Sequence, residues 1–161
     1  MTPRFETLAP KKLLGYSMKM CFAEHAPHKL WQAFMPHKKE IKNLVGSNLY
    51  SLEVYPDADF FKHYDPKALF EKWAAAEVSD YEQVPEGMKP LVLQEGLYAV
   101  FTYKGKSSDA KAAYEYILLS WLPRSEYELN HLPHFALMGE KYKNNDPESE
   151  EEIWIPVRKV S

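Results

Sequence analysis

Hydrophobic and polar residues follow one another in an order that predicts two similar halves. The first half opens with a strand over 13–22. A helix then begins at Pro27, where a missing backbone N–H costs nothing, and Pro36 is expected to kink the helix or to end its first part. The alternation over 49–55 is typical of a half-buried strand. This half therefore predicts the order strand, helix, strand.

The segment 70–78 carries three consecutive alanines and fits either a helix or a strand. Alanine favours a helix by intrinsic propensity. The segment is short, however, and the turn-forming residues Ser79-Asp80 and Pro85-Glu86-Gly87 close it. We interpret it as the strand that completes the first half.

The second half repeats this order. A strand over 91–103 is interrupted at Glu95-Gly96, and a helix follows the N-cap candidates at 107–109. Two further strands, 134–142 and 152–158, are joined by a polar loop. The pattern predicts an α+β fold of two βαββ repeats with pseudo-two-fold symmetry, an antiparallel sheet with two helices on one face, in a single domain over 1–161.

The composition excludes several classes of protein. A formal net charge of −3 with no basic stripe argues against a nucleic-acid partner. No apolar run is long enough for a membrane span, and the N-terminus has no signal-peptide pattern. Cys21 is the only cysteine, which fits a reducing compartment. We therefore expect a cytoplasmic protein.

Aromatic residues are unusually frequent, with 4 Trp, 11 Tyr and 8 Phe among 161 residues. Strand alternation indicates an aliphatic face, which includes Tyr50 and Phe135 and is expected to meet the helices. The opposite face carries Tyr55, Trp73, Ala136, Met138 and Trp154 together with Glu53, Glu77 and Glu140. Such a face suits a pocket for a flat organic molecule, an interface between subunits such as a homodimer, or ordinary packing. We favour the pocket.

No cofactor or metal site is expected. The histidines His25, His28 and His37 lie close in sequence, but helical spacing does not bring all three to one face. Phosphate-binding, nucleophile-elbow and zinc-protease motifs are missing from the sequence.

Six short segments, in their order and spacing, resemble the GyrI-like small-molecule-binding family, whose domain also serves as the effector-binding module of AraC-type and multidrug-sensing regulators. These segments are Leu30–Pro36, Trp73–Val78, Pro85–Met88, Tyr98–Phe101, Gly139–Tyr142 and Glu152–Val157. The resemblance implies a ligand cleft between the repeats and a free-standing module that binds or sequesters hydrophobic aromatic compounds, neutral or cationic. Its alternatives are a hydrolase of cyclopropane-type toxins, with Glu77 or Glu53 as general base, and a gyrase-inhibitor-like interaction protein. The sequence does not decide whether the chain is an enzyme, and we favour binding over catalysis.

One departure from the family pattern concerns the ligand's charge. Many members carry a Glu directly after the Phe of the penultimate strand and a Tyr two residues later, where this chain has Ala136 and Met138. The resemblance therefore implies that the usual cation-pairing residue is lost. Glu53 or Glu77 could replace it if their strands face the cleft, and a neutral apolar ligand is expected.

Overall fold

The computed structural model describes all residues, 1–161, and contains nine strands and two main helices. The strands are β1 (Arg4–Leu8), β2 (Lys11–Met20), β3 (Leu44–Val54), β4 (Phe70–Val78), β5 (Lys89–Leu93), β6 (Gly96–Lys104), β7 (Tyr127–Leu129), β8 (His134–Met138) and β9 (Glu150–Lys159). Helix α1 (Pro27–Phe34) continues as a 3-10 segment (Met35–Glu40), and α2 (Lys111–Tyr116) continues as a π-helical turn (Ile117–Trp121) that ends at Arg124. None of these helices has the length and apolar character that crossing a bilayer requires.

All strand pairs are antiparallel, in the order β1-β6-β9-β8-β3-β4-β2-β5, with β7 beside the end of β9. Repeat one is β2-α1-β3-β4 and repeat two is β6-α2-β8-β9. Within the sheet the repeats read β3-β4-β2 and β8-β9-β6, so a pseudo-two-fold axis passes between β3 and β8. The predicted α+β fold of two βαββ units is confirmed.

The short strands β1 and β5 are exchanged between the repeats. Strand β1 precedes repeat one in the chain but pairs with β6 of repeat two, and β5 precedes repeat two but pairs with β2 of repeat one. The connections 8–11 and 93–96 run side by side, since Leu8 pairs with Gly96 and Lys11 with Leu93. Only two residues join β1 to β2, which are separated by most of the sheet, so the sheet must curl. We call its inner side the concave face and the other side the helix face.

The two helices pack on different halves of the helix face. Leu30 and Phe34 of α1 are buried against Ala74 and Ala76 of β4, whose small side chains let the helix lie close to the sheet. In repeat two, α2 and its π-helical turn pack on the helix-face residues of β6 and β9. The helix face of the two central strands, β3 and β8, therefore lies between the helices.

Strand β4 has the bounds that the sequence predicted, 70–78. Its residues are buried on both faces, and this burial outweighs the helix propensity of its alanines. The segment predicted as one strand over 91–103 is instead two, β5 and β6, which belong to different repeats. Strands β1 and β7 were not predicted.

Candidate functional site

Four residues form a continuous row across the concave face. Trp73 lies opposite Leu52, which lies opposite Phe135. Phe135 in turn lies opposite Trp154. Directly paired residues of antiparallel strands point to the same side of the sheet. The predicted sharing of one face by Trp73 and Trp154 is confirmed, and the two indoles come from equivalent positions in the two repeats.

Five rings pack together on this face, and we call them the aromatic cluster: Tyr50, Trp73, Tyr98, Phe135 and Trp154. Phe135 stacks on Trp154 with ring centroids 5.2 Å apart and an interplanar angle of 16°. Tyr98 lies 5.4 Å from Phe135, and Tyr50 lies 5.6 Å from it on the other side. Trp73 is 4% exposed and Trp154 is 8% exposed, so the rings form a dense apolar interior.

Four of the predicted binding residues do not share this face. Glu53 lies opposite Lys72 and His134, and Ala136 lies opposite Ile153, all on the helix face. Met138 shares that face with Ala136, and the Tyr55 ring packs edge-on against His134 at 4.8 Å. The interpretation that placed Glu53, Tyr55, Ala136 and Met138 beside the tryptophans is wrong. Strand β8 and the second half of β3, from Tyr50 to Val54, are buried or half-buried on both faces. The more aliphatic side of each strand therefore did not show which side packs against the helices.

Carboxylates at the margin of the concave face accept hydrogen bonds from the aromatic cluster. Trp73 Nε1 donates to Glu71 Oε1 at 2.5 Å, and Trp154 Nε1 donates to Glu152 Oε1 at 3.1 Å. The Tyr50 hydroxyl donates to Glu77 Oε1 at 3.5 Å. Burial, and secondarily the Glu77 charge, raises the pKa of Tyr50 well above its ordinary value. The predicted face-sharing of Glu77 with Trp73 is confirmed.

Two cavities open at the margins of the aromatic cluster. One, about 440 Å³, is lined by Glu140, Leu137 and Glu152 among others. We call it the Trp154 cavity because Glu152 accepts a hydrogen bond from the Trp154 indole N–H. It lies where β8 ends and β9 continues, and Glu140 reaches it from beyond that end. The other, about 350 Å³, is lined by Glu77 and Lys11 among others. Each cavity thus contains a carboxylate bonded to a ring of the cluster.

The helix face carries a buried ion pair between the two helices. Lys72 Nζ lies 2.6 Å from Glu53 Oε2, and the two side chains are 7% and 10% exposed. Burial raises the pKa of the Tyr55 hydroxyl well above its ordinary value, and the Glu53 charge adds to the effect. The Lys72 ammonium therefore already balances the charge of the Glu53 carboxylate. Neither face brings three His, Cys, Asp or Glu side chains together as a metal site.

His134, which the sequence did not single out, makes folding sensitive to acid. Burial lowers the pKa of His134 from 6.5 to about 3. Between these values the unfolded chain binds a proton that the folded chain does not, so stability falls as pH drops through the window, by up to about 1.4 kcal/mol per pH unit. Urea unfolding from pH 7 to 4 should show a shallower dependence for His134→Gln than for wild type. The matched exposed variant His63→Gln should keep the wild-type dependence; equal slopes for all three would contradict this assignment.

The sequence matches the GyrI-like small molecule binding domain family over residues 1–158. The chain belongs to this family. The GyrI-like assignment agrees with the paired βαββ repeats and identifies the chain as a small-molecule-binding domain. A search of curated proteins gave no significant match.

Solved structures with the same fold include proteins of three descriptions. SAV2435, bound to tetraphenylphosphonium, has a TM-score of 0.71 at 18% identity, over 98% of this chain and 94% of its own. EcmrR, in a complex with DNA, has a TM-score of 0.72 at 17% identity, over 99% of this GyrI-like chain and 58% of its own. A hydrolase encoded by lin2189 from Listeria innocua has a TM-score of 0.60 at 12% identity, over 98% and 92%. At these identities the likeness is one of fold.

The concave face adds residues that the sequence analysis of this GyrI-like chain missed. Tyr50 and Phe135 were assigned to the aliphatic face, and Glu71, Tyr98 and Glu152 were not considered as binding residues. Trp73 and Trp154 each follow a glutamate by two residues, which in a strand places both side chains on one face. That repeated Glu-x-Trp spacing was the available signal.

Proposed function

We propose that this chain binds hydrophobic aromatic cations on its concave face. One observation supports this most strongly: five rings pack together on the concave face, and each of two nearby cavities is lined by a carboxylate that accepts a hydrogen bond from one of these rings. Aromatic faces attract organic cations, and rings with a few polar groups are typical of ligand pockets. Trp73, Trp154 and Glu77 are the proposed contacts carried over from the sequence, and Glu140 lines the entrance.

The route into the site follows from the burial of the rings. The Trp154 cavity is lined by Leu137, which is half-buried and lies two residues from Phe135 on the concave face. A ligand entering there displaces the Leu137 side chain and reaches the stacked Phe135 and Trp154 rings. The apolar surface that it buries against them supplies the main favourable free energy.

The charge of the proposed ligand follows from the carboxylates on the concave face. The expectation of a neutral ligand rested on Ala136, which lies on the helix face. Glu71, Glu77 and Glu152 come from other strands and accept hydrogen bonds from the rings. Glu77 also pairs with Lys11 and Glu152 with Arg4, which leaves Glu71 as the carboxylate without a counter-ion in the chain. The tetraphenylphosphonium bound to SAV2435, a protein of the same fold, supports a hydrophobic cation as the ligand class.

Binding is favoured over hydrolysis by the partners of the two candidate bases. A carboxylate acting as general base on water works best with a pKa near neutrality, which requires a dry site without cations. Glu53 is paired with Lys72, and Glu77 lies 3.5 Å from Lys11. We therefore propose ligand binding without hydrolysis, in a cytoplasmic protein that sequesters or senses its ligand and whose GyrI-like domain has no nucleic-acid partner of its own.

Tryptophan fluorescence locates the proposed site. Titration with tetraphenylphosphonium is expected to change the emission of the wild type, because Trp73 and Trp154 lie at the site. The double variant Trp73→Phe/Trp154→Phe should lose most of this change, whereas Trp31→Phe should keep it, since Trp31 belongs to α1, which packs on the helix face. A wild-type response lost with Trp31→Phe and kept in the double variant would place the ligand on the other face; no response at millimolar ligand would contradict binding.

A further inference from the structure

Two tryptophan–glutamate pairs occupy equivalent positions in the two repeats. In β4, Trp73 donates to Glu71, two residues earlier; in β9, Trp154 donates to Glu152, also two residues earlier. The equivalence follows from the sheet register, since Trp73 lies opposite Leu52, Leu52 opposite Phe135, and Phe135 opposite Trp154. Each pair places a carboxylate at the edge of an indole on the concave face.

The two carboxylates differ in their counter-ions. Arg4 Nη2 lies 2.7 Å from Glu152 Oε2, so the charge of Glu152 is neutralised within the chain. No Lys, Arg or His nitrogen lies within 4.0 Å of the Glu71 carboxylate. The indole of Trp73 is its hydrogen-bond donor.

The register explains this difference. Arg4 of β1 lies opposite Val100, and Val100 lies opposite Trp154. In the other repeat Ser17 lies opposite Trp73, and continuing the β2–β5 register places residue 87 beside Ser17. Residue 87 is Gly87, which precedes β5 and has no side chain to offer. The position that holds an arginine in one repeat is therefore empty of charge in the other.

We propose that Glu71 is the residue that pairs with the positive charge of the ligand and selects cations over neutral compounds of similar shape. The proposal rests on the binding function above and names the residue that sets its charge preference. Glu71 is half-buried, and its cross-strand neighbour Val54 is apolar and half-buried. Its other neighbour, Lys19, is exposed and forms no ion pair with it. Partial burial beside an indole strengthens the attraction of Glu71 for an organic cation.

Calorimetric titrations with a charged and a neutral compound of similar shape test this role. Tetraphenylphosphonium is the cation, and triphenylphosphine oxide is the neutral probe. Glu71→Gln should weaken binding of the cation about tenfold, the change that corresponds to 1.4 kcal/mol, and leave binding of the neutral probe within about twofold. Arg4→Gln should strengthen cation binding severalfold, because it leaves Glu152 with an uncompensated charge. The double variant Lys111→Gln/Glu115→Gln removes an exposed ion pair on α2, on the other face of the sheet, and should keep the wild-type preference.

The possible results separate this proposal from the binding function. An unchanged preference for the cation in Glu71→Gln, with binding intact, overturns the role of Glu71 and leaves the proposed function standing. Loss of both probes by Glu71→Gln shows a structural effect of the substitution and also overturns a charge-selecting role, while wild-type binding still supports the function. Failure of the wild type to bind either probe contradicts the function itself and the inference with it.

Discussion

Replacement of Lys72 by methionine is expected to lower the free energy of unfolding by about 3–5 kcal/mol at neutral pH. Lys72 and Glu53 form a 2.6 Å ion pair in which both side chains are at least nine-tenths buried. Methionine fills similar space and removes the ammonium, so the Glu53 carboxylate is left buried without a counter-charge. That uncompensated charge, more than any lost packing, accounts for the expected effect. Urea unfolding followed by circular dichroism measures the change.

A second substitution separates the charge effect from packing. In Lys72→Met/Glu53→Leu both charges are removed together, and stability should return to within about 1 kcal/mol of the wild type or exceed it. The exposed pair Lys104–Glu148 offers a matched control, and Lys104→Met should change stability little. A single Lys72→Met variant as stable as the wild type would contradict the buried ion pair.

Gly15→Ala is expected to destabilise the fold by more than about 3 kcal/mol. A Cβ atom at Gly15 would lie 2.0 Å from the Ala74 carbonyl oxygen and 2.7 Å from the Ala75 Cα. These are backbone atoms of the neighbouring strand, so β2 and β4 would have to separate. Because Ala75 and Trp73 lie on the same face of β4, the movement should also impair ligand binding.

Gly46 provides the contrast for this prediction. Its φ is +70°, and no atom lies within 4 Å of an added Cβ. Gly46→Ala should therefore cost only about 1–2 kcal/mol, from the left-handed backbone conformation alone. Thermal unfolding of the two variants side by side gives the comparison. Equal losses of stability would mean that the close contact between β2 and β4 at Gly15 is absent.

The repeat architecture could be predicted from the sequence, whereas the exchange of β1 and β5 could not. Hydrophobic periodicity and turn residues act locally, and they predicted β4 with its exact bounds and the interruption at Glu95-Gly96. Which strand pairs with which depends on contacts between distant parts of the chain. Strand β1 is short and mostly exposed, so its alternation gives little signal.

The candidate site could be predicted only in part, for a related reason. Trp73 and Trp154 were grouped correctly because β4 and β9 each have one face packed by a helix, with Ala74 and Ile153 beneath α1 and α2. The central strands run between the helices and are buried on both sides, so Tyr50 and Phe135 were assigned to the wrong face. The face on which these residues lie is decided by the register between strands, which the pattern of a single strand does not contain.

The indole N–H resonances of the four tryptophans test the central claim most directly. In a ¹⁵N-labelled wild-type sample, assigned through the single Trp→Phe variants, addition of tetraphenylphosphonium should shift the Nε1–H signals of Trp73 and Trp154. The signals of Trp31 and Trp121, whose rings lie on the helix face, should stay in place. Shifts confined to Trp31 and Trp121, or no shift at saturating ligand, would contradict binding on the concave face.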